Sequence, residues 1–169
     1  LQSHPNELCG HLPNQRCCAD TDHAEECDAL VMLAKNTNFS TWTRKENWLT
    51  QESICSWQGI YCNNQSHVWL IQLHTNNLRG EIVSFDAFPK VKYISMHSNG
   101  LIGTLPSLQR LPRLETLNVG NNSLAGTLPH LVNNPLLQNL KVFSNNFIGD
   151  VPSLANNKVL VDLFLQGNQ

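Results

Sequence analysis

The stretch LETLNVGNNSLAGTLP, residues 114–129, decides the fold of this chain. Its apolar residues fit neither the period of a helix nor the strict alternation of a strand, and Asn122 and Gly126 stand among them. The same arrangement recurs: apolar residues lie eight, five and three positions before each of five asparagines, which are 23 residues apart. These asparagines are Asn76, Asn99, Asn122, Asn145 and Asn168. A fixed period in the twenties predicts a solenoid, whose stacked coils bury a face that no single coil can bury.

The residues after each asparagine repeat as well. A leucine or phenylalanine follows at two positions, a glycine at four, an aliphatic residue at six and, in three repeats, a proline at seven. The motif L-x-x-L-x-L-x-x-N-x-L-x-G-x-I-P resembles the leucine-rich repeat in the variety best known from plant extracellular receptors, over residues 68–169. The resemblance implies an α/β solenoid, a right-handed superhelix with a parallel concave β-sheet. Each repeat is one residue shorter than is usual in that variety, which we expect to alter curvature and not topology.

The asparagine of each repeat is expected to point into the solenoid. After its short strand the chain turns inside the coil, where backbone amides would lose their water partners. A carboxamide supplies both a donor and an acceptor, so five of them in register can form a ladder that satisfies the turns. Their strict spacing disfavours the alternative that they form turns at the surface.

Six cysteines precede the first repeat, and their even number indicates disulfides that staple an N-terminal cap. A zinc site is disfavoured, because the adjacent Cys17 and Cys18 fit metal-ligand spacing poorly. Cys55 and Cys62 are expected to pair with each other. The other four allow three pairings, of which loop length favours Cys9 with Cys17 and Cys18 with Cys27.

A helix is predicted over residues 22–35 of this cap. Asp22 and Glu25 have the spacing of a capping box. One face of the segment is apolar, and it consists of Cys27, Leu30, Val31 and Ala34.

The segment that follows resembles the N-terminal cap of extracellular leucine-rich repeat proteins. It carries an A-L-x-x-L helix, a W-T…N-W-L segment and a C-x-W-x-G-x-x-C loop, a combination that occurs widely outside land plants and therefore indicates no source organism. It implies a cap over residues 1–66 that covers the first coil, and five repeats over residues 67–169, the last of them truncated. Three tryptophans are expected in the core of the cap, with a ligand-binding aromatic cluster as the alternative: Trp42, Trp48 and Trp57.

Composition narrows the class of protein. A net charge of −2, with only 14% charged residues, argues against nucleic-acid binding, and the apolar stretches fall well short of a membrane span. The sequence has no initiator methionine and no apolar leader, so we expect that a signal peptide was removed or that the chain is part of a longer product. It ends in the fifth coil without a C-terminal cap, so further repeats, a membrane span or a signalling domain are expected to follow.

Three N-x-S sequons support the secretory route of a eukaryote and an extracellular location. Their asparagines are Asn38, Asn64 and Asn121. A glycan on Asn121 would obstruct part of the concave surface, because this residue precedes a ladder asparagine.

The solenoid fixes which side chains the concave sheet presents. Those expected to bind a ligand are Trp69, His74, Tyr93, His97, Asn118, Lys141, Phe143, Asp162 and Phe164. Aromatic residues near a charge are typical anchors of a protein or peptide interface, and Phe143 and Phe164 are hard to explain as solvated surface. The alternative is that these two pack against a neighbouring domain or later coils.

Neither a metal site nor a catalytic site is predicted. His74 and His97 occupy the same position in adjacent coils, where they could share a metal or repel each other when protonated, but two ligands are too few for zinc. Among the carboxylates after residue 81, only Glu115 and Asp162 face the sheet, without a cleft that would raise a pKa. No cofactor is expected.

The sequence therefore predicts the ectodomain of a receptor or adhesion protein that binds a protein or peptide. One alternative is a secreted inhibitor of a foreign hydrolase, similar to the polygalacturonase inhibitors of plants. Another is a structural or ice-binding solenoid, which would need regular hydroxyl arrays. The column that would carry them is only partly regular: Thr75, Ser98, Asn121, Ser144 and Gly167.

Overall fold

The computed structural model describes residue 9 and residues 16–169. The parts of the expected cap formed by residues 1–8 and 10–15 lie outside the described residues. The chain forms a β-solenoid that is preceded by one α-helix and stapled by disulfides near its N-terminus.

The helix of the cap, α1, spans Ala24–Asn36 and therefore begins two residues later than predicted. The expected capping box is wrong: His23 is the N-cap, and no side chain caps the helix. Asp22 is buried, and its carboxylate instead accepts hydrogen bonds from the hydroxyl of Ser53 at 2.6 Å and the amide of Ile54 at 2.9 Å. Two short 3-10 helices follow, at Phe39–Thr41 and Ile54–Ser56.

The buried face of α1 also differs from the expected one. Leu33 and the carboxylate-bearing Glu26 are buried with Cys27, Leu30 and Ala34, whereas Val31 is only partly buried. Glu26 can lie inside because its two oxygens bond the amide of Val68 and Nδ1 of His67, both at 3.0 Å. These bonds tie the helix to the start of the first coil.

Ten strands follow in chain order. They are β1 (Ile60–Cys62), β2 (Val68–Gln72), β3 (Arg79–Glu81), β4 (Tyr93–Ser95), β5 (Gly100–Ile102), β6 (Thr116–Asn118), β7 (Ala125–Gly126), β8 (Asn139–Lys141), β9 (Asn146–Phe147) and β10 (Asp162–Phe164). Strands β2, β4, β6, β8 and β10 pair in parallel with partners 23 residues apart, as the repeat predicts. The sequence did not indicate that β1 extends this sheet, antiparallel to β2.

A second set of short parallel strands lies on the flank of the coils, with β3 beside β5 and β7 beside β9. At Gly80, in β3, the coil approaches the C-terminal end of α1 so closely that an added Cβ would lie 1.9 Å from the carbonyl oxygen of Asn36. The amide of the neighbouring Arg79 donates to the carbonyl of Thr37 at 2.9 Å. The cap therefore docks on coil one through the end of its helix.

The five repeat asparagines form a continuous inner column, as expected. Oδ1 of Asn122 accepts from the amide of Leu101 at 3.1 Å, and its Nδ2 donates to the carbonyls of Met96 and Val119 at 3.1 and 3.0 Å. Asn99, Asn145 and Asn168 make equivalent bonds. The column ends in the cap, where Asn76 bonds the backbone of Arg44 and the hydroxyl of Thr43.

A second, outer column was not predicted. Asn134 and Asn157 are also 23 residues apart and buried, and Nδ2 of Asn134 donates to the carbonyls of Leu108 and Leu111 at 2.9 Å. The same position holds Phe88 and Leu111 in the two preceding coils, and both are buried.

The cap is held by three tryptophans and three disulfides. Trp42, Trp48 and Trp57 are buried and packed in series, with ring centroids 4.8 Å apart at each step, so they are core residues and do not form a ligand site. The cysteines pair in the arrangement that loop length favoured: Cys9–Cys17, Cys18–Cys27 and Cys55–Cys62.

Candidate ligand-binding face

The concave face is the outer surface of the six-stranded sheet β1–β2–β4–β6–β8–β10 and the residues just after its strands. Five of the nine predicted binding residues lie within parallel strands of repeats two to five: Tyr93, Asn118, Lys141, Asp162 and Phe164. Trp69 lies in β2, and the other three, His74, His97 and Phe143, come directly after strands. All nine are at least partly exposed, so the strand alternation placed them on one surface.

The N-terminal part of this face is a connected aromatic and ionic cluster. The ring of Trp69 meets that of Tyr93 edge to face, with centroids 5.7 Å apart. The Tyr93 hydroxyl donates to Oε2 of Glu115 at 2.7 Å, while Nζ of Lys92 lies 3.0 Å from its other oxygen. The hydrogen bond from Tyr93, then the neighbouring Lys92, lower the pKa of Glu115, and the same bond raises the pKa of Tyr93. Glu115 is thus held as a carboxylate.

The C-terminal part carries the two phenylalanines in different settings. Phe164 is 39% exposed, and Nζ of Lys141 lies 4.8 Å from its ring centroid. Phe143 is only partly exposed because its ring lies against Gly120, where an added Cβ would be 2.3 Å from the ring. The expectation that both are open therefore holds for Phe164, whereas the glycine of the preceding coil gives Phe143 a packing role.

Lys141 joins this cluster to the last predicted charge. Its Nζ lies 3.6 Å from Oδ2 of Asp162, and Asn139, in the same strand, donates to the hydroxyl of Thr116 at 3.1 Å. Asn118 accepts from the amide of Gly120 at 3.2 Å. The middle of the face is therefore polar and separates the two aromatic ends.

His74 and His97 stack face to face, with centroids 4.7 Å apart and planes within 5°. Partial burial, and then Arg44, lower the pKa of His74, and burial followed by His74 lowers the pKa of His97. The rings are therefore neutral near neutral pH, where they stack without repulsion. Within residues 9 and 16–169, no three histidine, cysteine, aspartate or glutamate side chains gather as a metal site.

Sequence reasoning missed one residue of the face. Tyr61, in β1, is opposite Leu70 of β2 and is 46% exposed. Residues paired across a sheet point to the same side, so Tyr61 extends the N-terminal cluster towards the cap. The alternation of buried Ile60, exposed Tyr61 and partly buried Cys62 is the signal that could have revealed this strand.

The three sequon asparagines, Asn38, Asn64 and Asn121, are all exposed. Asn121 lies at the margin of the concave face, where its Nδ2 donates to the hydroxyl of Ser98 at 3.3 Å. In the part of the chain that the structure describes, no helix is long and apolar enough to cross a membrane.

Comparisons with known proteins agree on the fold. No family model matches the chain, and no curated protein matches it significantly. Among solved structures, a chain of the BIR3–SERK2 complex from Arabidopsis thaliana is 28% identical, with a TM-score of 0.66, over 83% of this chain and 79% of its own length. The BIR2 ectodomain from Arabidopsis thaliana is 22% identical, with a TM-score of 0.70, over 87% of this chain and 81% of its own length.

A plant ice-binding protein is also similar in structure, at 19% identity and a TM-score of 0.60, over 92% of this chain and 58% of its own length. At these identities the second and third likenesses concern the fold alone. The structural neighbours thus include leucine-rich repeat receptor ectodomains of plants, one of them solved in complex with a second protein.

Proposed function

We propose that this chain, a leucine-rich repeat protein of the plant-receptor-like subtype with a cysteine-containing cap, is an extracellular recognition domain of a receptor-like or adhesion protein. It binds a protein or peptide ligand on its concave face. The observation that carries the proposal is Phe164, which stays 39% exposed on this face beside Lys141, with Val161 79% exposed next to it. An aromatic ring beside a cation is the kind of anchor that interfaces use.

The architecture supports recognition over catalysis. The two carboxylates of the face are engaged, Glu115 with Tyr93 and Lys92, and Asp162 with Lys141. A general acid needs a raised pKa, whereas the pKa of Glu115 is lowered by its partners. The face therefore offers charged and aromatic contacts and no poised proton donor at Glu115.

The cap supports an extracellular location. Three disulfides within the first 62 residues fit an oxidising compartment. The exposed sequons are accessible to glycosylation in the same route.

A selection from a random linear peptide library displayed on phage tests the proposal. We expect selected peptides to bind the purified chain and to lose about tenfold or more in affinity when Phe164→Ser removes the anchor. Val159→Ser is the matched control, because Val159 is 45% exposed and lies outside the concave sheet. Both variants must show the thermal transition of the parent chain. Peptides that bind both variants equally well would remove the concave face as the site.

A further inference from the structure

A cleft of about 810 Å³ opens on the flank of the solenoid, beside the C-terminal ends of β2 and β4. Thr43 of the cap borders it, and the first two coils supply the rest of its lining. The side chains used below are Thr75, Asn77, Arg79, Ser98 and Ile102. Thr75 and Ser98 belong to the margin of the concave face, so the cleft and that face are continuous.

The cleft exists because coil two lacks a side chain that the other coils have. The residue after the column asparagine is Gly100 in coil two, but Asn77, Ser123 and Asn146 in its neighbours. Gly100 does not have a positive φ, so its backbone does not require glycine. A Cβ there would lie 3.3 Å from Cγ of Arg79. The missing side chain leaves the room in which the arginine lies.

Arg79 is oriented from the cap and lacks a charged partner. Its Nε donates to Oδ1 of Asn77 at 3.1 Å, and Nδ2 of Asn77 donates to the carbonyl of Thr41 at 2.9 Å. The four ion pairs of the described residues do not include Arg79, and no acidic residue lines the cleft. A guanidinium fixed at Nε presents its terminal nitrogens outward, in the geometry that suits a carboxylate.

We propose that this cleft binds a carboxylate of the peptide ligand, from an aspartate or glutamate side chain, with Arg79 as its counter-ion. The inference rests on the proposed function, since it places one residue of a ligand that lies on the concave face. The hydroxyls of Thr75 and Ser98 supply further polar contacts, and half-exposed Ile102 supplies an apolar wall. A peptide is favoured over an acidic polysaccharide because no aromatic ring, on which a sugar would stack, lines the cleft.

The test uses peptides selected on the parent chain and resynthesised with amidated C-termini, each acidic residue being replaced in turn by its amide. We expect one Glu→Gln or Asp→Asn replacement to weaken binding about tenfold or more, the effect of a charge-assisted hydrogen bond. On an Arg79→Gln variant, the same replacement should have no effect. This coupling separates a direct contact from a structural role of Arg79.

Two further variants complete the design. Gly100→Ser, which copies Ser123 of coil three, should fill the cleft and weaken binding of the acidic peptide more than that of its amide form. Arg113→Gln, at an exposed arginine away from the cleft, should leave both affinities unchanged.

The failures are distinguishable. If peptides bind and depend on Phe164 but Arg79→Gln changes neither affinity nor acid preference, the proposed function stands and the carboxylate subsite is wrong. If the library yields no peptide that depends on the concave face, both are wrong. If Arg79-dependent binding appears for a uronic-acid oligosaccharide and not for any peptide, the inference of a peptide carboxylate is overturned.

Discussion

Asn145 of the inner column and Asn134 of the outer column are both buried, and both donate to backbone carbonyls. They differ at the carbonyl oxygen of the side chain. Oδ1 of Asn145 accepts from the amide of Leu124 at 2.9 Å, whereas Oδ1 of Asn134, like that of Asn157, has no hydrogen-bond partner. One column is fully used and the other is half used.

The partners of the two columns explain the difference. The carbonyls of Leu108 and Leu111, which Asn134 bonds, already accept from the backbone amides of Leu111 and Leu114. The amide of Leu124, by contrast, makes its hydrogen bond to Asn145. The inner asparagines thus satisfy groups that would otherwise be buried without partners, and the outer ones add second bonds. A regular column of polar residues is therefore not by itself a measure of stabilisation.

The largest effect is expected from Asn145→Leu. It leaves the amide of Leu124 buried without an acceptor and removes bonds to the carbonyls of Val119 and Val142. We expect the free energy of unfolding to fall by roughly 2–4 kcal/mol. Denaturant titration measures this loss, and faster hydrogen exchange at Leu124 would locate it. A loss below about 1 kcal/mol would contradict the role assigned to the inner column.

A smaller effect is expected from Asn76→Ala, at the cap end of the same column. Its partners, Thr43 and Arg44, are exposed or partly exposed, so water can replace some of the lost bonds. We expect a loss of about 1–2 kcal/mol and loosening of the segment around Arg44. Limited trypsin digestion should therefore cut after Arg44 faster in the variant. Unchanged cleavage would show that other contacts hold this segment.

Asn134→Leu should cost less than about 1 kcal/mol, because it copies the buried leucine of coil two and removes an unpartnered oxygen. Thermal or denaturant unfolding beside Asn145→Leu gives the comparison directly. Equal losses in the two variants would mean that the columns do not differ as the hydrogen bonds indicate.

The smallest effect is expected from Tyr93→Phe, which measures a polar pair on the surface instead of in the interior. Removing the bond from Tyr93 should raise the pKa of Glu115 towards its ordinary value, with a stability loss of no more than about 1 kcal/mol at neutral pH. Because the folded pKa of Glu115 is lowered, its contribution is present above the unfolded pKa and disappears as pH falls through the folded one. The difference between variant and parent should therefore shrink in acid. NMR titration of the Glu115 carboxyl carbon checks this, and an unchanged titration would contradict it.

Periodicity predicted the inner column because all five coils carry the asparagine. It could not predict the outer column, since only Asn134 and Asn157 occupy positions that hold Phe88 and Leu111 elsewhere. Two occurrences at a fixed spacing do not stand out in a chain rich in asparagine. Nor could it predict that Asp22 would bond Ser53 and Ile54, because that contact joins segments about thirty residues apart.

The candidate face was predictable in its direction and less so in its contacts. Strand alternation places His74, Tyr93 and Lys141 on one surface. The packing of Phe143 on Gly120 and the opening left by Gly100 depend on what the adjacent coil lacks. Such effects appear only when the coils are stacked, because they come from an absent side chain and not from a motif.

Coil one is fastened in a way that coils two to four are not. It pairs with β1, takes the Glu26 carboxylate at Val68, and receives further bonds at Arg79 from the end of α1. Coils two to four bond mainly to the coils next to them. Under tension along the solenoid axis, these coils should therefore peel from one another before coil one leaves the cap, which makes the stapled end the anchored end of a molecular spring.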